Sequence, residues 1–262
     1  MKIFNRALYL AIAMLLATTP AYAKMAFDFS GSTPVGSWQE REEVITDHKG
    51  NKQISVAKMS MLGKEKRDDE EHYWVEMVMD TFKVKKDKRK KTGDTVVVKF
   101  LMPKSAYDED TANAVFSMRK FAKEIIFQSG DQDPMIFTQG GAIADAMLKA
   151  MGTEVSYNFS QTGKEKVTVP AGSFDAKKFT GTGSTKVKVI FKTMEIESNS
   201  TTWISEKVPF GVVKQSIENQ VNGKPQTVEI TLTKFGRSGA TSKITKTPQE
   251  APQLPDMGDF FK

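Results

Sequence analysis

Thr111-Ala-Asn-Ala-Val-Phe-Ser-Met-Arg-Lys-Phe-Ala-Lys-Glu-Ile-Ile-Phe127 interrupts a chain that otherwise alternates apolar and polar residues. Its apolar members Ala114, Val115, Met118, Phe121, Ala122, Ile125 and Ile126 recur at spacings of three and four, with Arg119, Lys120, Lys123 and Glu124 between them. That period predicts an amphipathic helix. Gly140-Gly141 opens a second, shorter one, with Ile143, Ala146, Met147 and Ala150 on one side and its end at Gly152. Two helices inside a run of strands make the expected class α+β rather than all-β.

Upstream of this stretch the period is two. Glu40 to Asp47 reads as a strand, His48-Lys49-Gly50-Asn51 as a turn and Lys52 to Leu62 as the returning strand. After a charged tip from Gly63 to Glu71, His72 to Phe82 sets Tyr73, Val75, Met77 and Met79 on one face and Trp74, Glu76, Val78 and Asp80 on the other. A basic tip follows, and Thr95 to Met102 is a β-branched strand stopped by Pro103. Downstream, seven short strands follow: Val155 to Phe159, Glu165 to Val169, Ala176 to Thr180, Lys186 to Met194, Thr201 to Ser205, Val212 to Asn219 and Thr227 to Lys234. The expected fold is one large antiparallel sheet of about eleven strands with the two helices packed on one face. It occupies residues 24–237 as a single domain. Residues 238–262, with Pro248, Pro252 and Pro255 and few aliphatics, read as a flexible tail.

The first residues carry an address. Lys2 and Arg6 precede the apolar run Ala7 to Ala17, and Ala21-Tyr22-Ala23 supplies small residues for a peptidase. That pattern predicts a signal peptide over residues 1–23, cleaved after Ala23, and a mature chain in the periplasm. With no cysteine, the chain has no residue to acylate, no disulfide and no thiolate ligand. The remaining 36 basic and 32 acidic residues leave a net charge of +4, too mild to imply nucleic acid.

Catalytic signatures are missing. The two histidines, His48 and His72, fall in a turn and at a charged hairpin tip, which predicts surface positions, and neither accompanies a nucleophile motif. No G-x-S-x-G elbow, Walker loop or dinucleotide fingerprint occurs. Asp68-Asp69-Glu70-Glu71 sits beside Lys64, Lys66 and Arg67 as a solvated tip. The expectation is a non-enzymatic protein without metal or cofactor.

Two features point to binding. Met and Phe are abundant, and Met adapts to ligands of varied shape. A cavity between sheet and helices would be lined by Met77, Phe100, Phe116, Met118, Phe121, Ile125 and Met147. Lys83 to Lys91 holds seven basic residues in nine positions, of which Lys85, Lys86, Lys88 and Arg89 could meet anionic headgroups, at about 1 kcal/mol each near a charged membrane surface.

Val167-Thr-Val-Pro-Ala-Gly-Ser-Phe174 reads as strand, tight turn, strand, and Trp203-Ile-Ser205 followed by Val208-Pro-Phe-Gly-Val-Val-Lys214 as another such unit. Here the chain resembles exported bacterial proteins of unknown function related to the periplasmic lipoprotein-carrier and lipoprotein-receptor half-barrels, the LolA/LolB-like superfamily. The resemblance covers Val167 to Lys214 by motif. It implies an incompletely closed barrel whose helical lid covers a concave apolar face that holds acyl chains or a lipidated segment. The expected function is therefore a soluble periplasmic carrier or envelope sensor for a lipid, a lipidated protein or another hydrophobic ligand, with peripheral membrane contact. The alternative is a structural protein that docks an envelope partner.

Overall fold

A computed structural model describes residues 33–85, 88–104, 122–138, 154–189 and 192–250. Thirteen strands among them share one sheet. In chain order these are β1 (Trp38–Thr46), β2 (Lys52–Arg67), β3 (Glu70–Lys85), β4 (Lys88–Lys91), β5 (Val96–Pro103), β6 (Glu124–Ser129) and β7 (Met135–Thr138). Then follow β8 (Glu154–Val169), β9 (Gly172–Val189), β10 (Lys192–Ile204), β11 (Val212–Val221), β12 (Lys224–Gly236) and β13 (Gln249–Glu250). The spatial order is β13-β7-β6-β5-β3-β2-β1-β12-β11-β10-β9-β8, with β4 paired to the end of β3. Two antiparallel meanders meet where β1 pairs with β12, so the first strand of the chain lies in the middle of the sheet.

Local chemistry explains the hairpins. Between β1 and β2 the Asp47 carboxylate accepts the backbone N–H groups of Lys49 and Asn51 and the Asn51 amide, at 2.8, 2.9 and 2.8 Å. This is how Asp holds a turn. Those Asn51 bonds, first among the causes, keep the Asp47 carboxyl below the usual range. Asn222-Gly223 joins β11 to β12 with φ of 50° and 71°, the left-handed pair that a two-residue hairpin requires. Asp68-Asp69 does the same between β2 and β3 at 50° and 61°, so both strands run much further into the charged tip than their composition suggests.

One face carries the main apolar cluster, with Met59, Met61, Val75, Met79, Val98, Phe100, Ile217, Val228 and Ile230 among its members. Val96, Val97 and Val98 stiffen β5, and both of its faces are buried. A smaller cluster joins Val169 and Phe174 of the β8–β9 hairpin to Val208, Val213 and Leu232. Phe174 meets Phe235 edge to face, with centroids 5.8 Å apart. β8 comes within 8 Å, Cα to Cα, of β11. A flat sheet with ~4.8 Å between strands would hold them ~14 Å apart, so the sheet coils at this end. Among the described residues the sheet is open, ending at β8 on one side and β13 on the other.

The fold class expected from the sequence is corrected. The described residues are all-β, with no helix among them. The end of the predicted first helix is β6, paired with β5 through Ile125↔Phe100 and Phe127↔Val98 and with β7 through Ile126↔Ile136. Glu124-Ile125-Ile126-Phe127 satisfies both periods, and the β-branched pair together with the unpaired edge of β5 settles it as a strand. Ala122 and Lys123 precede β6 outside any helix, residues 111–121 and the predicted second helix lie outside the described residues, and two helices on a concave face are not seen.

Beyond β12 the chain forms a strap across the face opposite the main apolar cluster. Ala240 N donates to Gly36 O at 2.8 Å. Glu76, fully buried on β3, accepts Ser242 Oγ at 2.5 Å and Lys243 N at 2.8 Å. Lys246 reaches Asp133 at 2.8 Å, and β13 then pairs in parallel with β7. The segment read from Pro content as a tail is thus pinned to the sheet as far as Glu250, and its remainder lies outside the described residues.

Candidate functional site

β1, Trp38-Gln-Glu-Arg-Glu-Glu-Val-Ile-Thr46, is polar without interruption from Gln39 to Glu43, yet it occupies the centre of the sheet. Alternation puts Gln39, Arg41 and Glu43 on the face of the main apolar cluster. Their neighbours are Met59, Ala57 and Ser55 on β2 and Phe235, Leu232 and Ile230 on β12. The row through Glu43 continues by cross-strand pairs from Ile230 to Gln215, from Gln215 to Thr202 and from Thr202 to Phe179. A polar seam therefore crosses an apolar face, and Gln39, Gln215 and Thr202 are fully buried in it.

Several of these groups are unsatisfied. Both ends of the Gln39 amide, Glu43 Oε1, Thr202 Oγ1 and Ser37 Oγ are sequestered from solvent and find no hydrogen-bond partner among the described residues. Arg41 Nη2 donates to the thioether of Met59 at 3.2 Å, a weak acceptor. Each unmet buried group costs roughly 1–3 kcal/mol, so the seam opposes folding. Departures of this kind from an apolar core concentrate where a protein does its work.

Electrostatics reinforce this reading. Burial pushes the Glu43 carboxyl up to about 7, against the opposing pull of Arg41. Burial likewise pulls the Arg41 guanidinium down to about 10, and the Glu43 charge acts the other way. Each ion is a partial counter-charge to the other, and Glu43 exchanges its proton near neutral pH.

A cleft of about 580 Å³ lies at the β9 end of the row. Phe179, Ile204 and Ala176 give it an apolar lining, and Lys164, Lys166 and Lys207 stand among its charged residues. Phe179 and Ile204 also belong to the main apolar cluster, so the cleft opens onto that cluster. A second depression of about 540 Å³ over β8–β11 is lined by Asn158, Ser160, Thr182, Asn199, Thr201 and Glu218 among others.

Of the residues expected to line a cavity, Met77, Phe100 and Ile125 all join the main apolar cluster. Phe116, Met118, Phe121 and Met147 lie outside the described residues, as does Lys86. Lys85 and Lys88 are exposed where β3 meets β4. Arg89 instead donates twice to the Glu42 carboxylate, at 2.6 and 3.0 Å, so part of the basic tip is neutralised. His72 is not at the surface. It is fully buried, with Nδ1 3.1 Å from Glu70 O, because β2 and β5 flank it through Glu65 and Pro103. Nearby, Arg67 bridges Glu65 and Glu124, and Trp74 Nε1 donates to Glu65 at 2.9 Å. Burial alone would raise the Glu65 carboxyl, but the Trp74 and Arg67 bonds together hold it below the usual range.

Sequence reasoning passed over Gln39, Arg41, Glu43 and Thr202. A strand polar on both faces looks like an exposed one, and only the distant pairing of β1 with β12 encloses it. Among the described residues no cluster of His, Asp and Glu could hold a metal ion. No helix among them is long and apolar enough to cross a membrane.

No family model matches the chain, and no curated protein matches it. Among solved structures it is similar to a candidate lipoprotein from Parabacteroides distasonis at TM-score 0.40 and 15% identity, over 78% of this chain and 96% of that one. It is also similar to a candidate exported protein with a YmcC-like fold from Bacteroides fragilis at TM-score 0.37 and 12% identity, over 78% and 97%. Neither description names a lipoprotein carrier or receptor, and likenesses at this level define neither the fold nor the activity of this chain.

Proposed function

We propose that the protein works outside the cytoplasm as a non-enzymatic binding protein for a lipid, a lipidated segment or another hydrophobic ligand. The cleft opening onto the main apolar cluster through Phe179 and Ile204 carries this reading. Its volume of about 580 Å³ falls in the range of roughly 300–1,000 Å³ typical of small-molecule sites. The charged and apolar N-terminal residues support export, and exposed Lys85 and Lys88 support peripheral contact with an anionic surface.

Native mass spectrometry of the protein purified from its own envelope fraction without detergent tests the proposal, with organic extraction of whatever is bound. A stoichiometric lipid or acylated peptide is expected. An apo mass, together with no fluorescence gain from N-phenyl-1-naphthylamine, would overturn it. The outer edge of β8, a strand of 16 residues with no ladder partner on that side among the described residues, favours a second reading in which a strand of an envelope partner adds to that edge.

A further inference from the structure

We infer that the cleft over β8, β9 and β10 takes a single-chain amphiphile with an anionic head, a carboxylate or a phosphate, held by Lys164 and Lys166. The inference rests on the binding reading above and adds the chemistry of the ligand's head and its place in the cleft.

Strand register brings the charged and apolar parts together. Lys164 on β8 stands opposite Lys177 on β9, and Lys177 stands opposite Ile204 on β10. Two strand spacings of ~4.8 Å put Lys164 ~10 Å from Ile204, and Phe179 lies one pleat along β9 from Lys177. Lys166 lies one pleat along β8 from Lys164, ~7 Å away on the same face. All five residues line the one cleft of about 580 Å³. The flexible lysine stems let both ammonium groups converge on one head.

The ion pairs around the cleft leave these two lysines over. Lys177 meets Glu206 at 2.6 Å, and Lys207 meets Asp175 at 3.7 Å. Glu165, the carboxylate between Lys164 and Lys166 in sequence, accepts Trp203 Nε1 and meets Lys178 at 3.5 Å. Each carboxylate lining the cleft thus already faces a cation. Lys164 and Lys166 are exposed and make no ion pair among the described residues.

An anionic amphiphile satisfies both halves of the site. Its chain covers Phe179 and Ile204, which belong to the main apolar cluster, and its head stays at the rim beside the two ammonium groups. An ammonium head would meet Lys164 and Lys166 as like charges, and an uncharged head would leave both without a counter-ion.

Four amphiphiles with one unsaturated chain and different heads, oleate, 1-oleoylglycerol 3-phosphate, 1-oleoylglycerol and oleylamine, are competed against N-phenyl-1-naphthylamine on the intact protein at pH 8, below their micellar concentrations. At least one anion is expected to bind about tenfold tighter than 1-oleoylglycerol, with oleylamine weakest. Lys164→Gln combined with Lys166→Gln should remove that advantage and leave 1-oleoylglycerol and the dye unchanged. Lys52→Gln combined with Lys224→Gln, which removes the same charge from exposed positions on other strands, should preserve it. Anions no tighter than 1-oleoylglycerol, an advantage that survives the first pair of changes, or one lost equally in both pairs overturns the inference while the binding reading stands. It falls likewise if the first pair weakens sedimentation with phosphatidylglycerol vesicles but not the binding of soluble anions, or only promotes self-association, as lysines guarding the β8 edge would. If neither the dye nor any amphiphile binds, both readings fall.

Discussion

Glu43→Gln should make this protein more stable at pH 8 and leave it unchanged at pH 4. In the folded chain burial raises the carboxyl from 4.5 to about 7, and Arg41 only partly offsets the shift. Between those values the folded state holds a proton that the unfolded chain has released. Stability is therefore present below pH 4.5 and is lost as pH rises to about 7. At about 1.4 kcal/mol per pH unit, the gap amounts to about 3 kcal/mol. Glutamine reproduces the protonated form in shape and charge, so the variant should lack this slope. Arg41, pulled down only to about 10, stays protonated throughout the window and adds no slope. Carboxylates held low elsewhere, such as Glu65 and Asp80, cancel when variant and parent are compared at each pH. Urea unfolding followed by circular dichroism at pH 4, 6 and 8 measures the difference directly. A variant less stable than the parent at pH 8 would refute the reasoning, because it would show that the ion pair with Arg41 outweighs the desolvation of Glu43. The same difference at pH 4 and pH 8 would show that Glu43 does not titrate in this range.

Releasing the strap is a second test: Glu76→Ala strips Ser242 and Lys243 N–H of their acceptor and should cost about 2–3 kcal/mol. Hydrogen exchange over residues 238–250 should accelerate more than exchange in β11, and uniform acceleration would mean that the strap unfolds only with the sheet. At the β2–β3 turn, Asp69 holds φ 61° and is almost fully exposed beside Lys66, so Asp69→Gly should gain about 0.5–1 kcal/mol; a drop in Tm would give that surface pair unexpected weight. Gly181→Ala should lose about 1–3 kcal/mol, because the new methyl group would overlap the Phe159 ring lying over Gly181 on the neighbouring strand. Combining it with Phe159→Ala should recover part of that loss in thermal unfolding, and simple additivity of the two changes would show that the ring is not the obstacle.

Strands whose chemistry is local were legible. The alternation of Tyr73, Val75, Met77 and Met79 predicts β3, and the valines of Thr95 to Met102 predict β5. The turn at Asp47 to Asn51 follows from Asp and Gly, which hold its bonds and its positive φ. Met77 joins the apolar cluster as the alternation of its strand predicts, whereas Ile125, expected on a helix, reaches the same cluster from β6. Glu124 to Phe127 was not legible, since four residues fit a helical and a strand period alike until β5 and β7 supply hydrogen-bond partners. His72 reads as solvated among charged neighbours, but the strands that bury it lie on both sides of it in the sheet.

The sequence by itself determined the strands whose signal is local, such as β3 and β5, the turn that follows β1, and that the chain lacks cysteine and the common catalytic motifs, because these depend on neighbours a few residues apart. Tertiary structure decided everything that depends on the pairing of β1 with β12. That contact joins the two meanders and encloses a strand of Gln, Arg and Glu in the middle of an apolar face. Desolvation is a property of what surrounds a side chain and not of its place in the sequence, so a Glu43 that titrates near 7 appears only once the sheet is assembled.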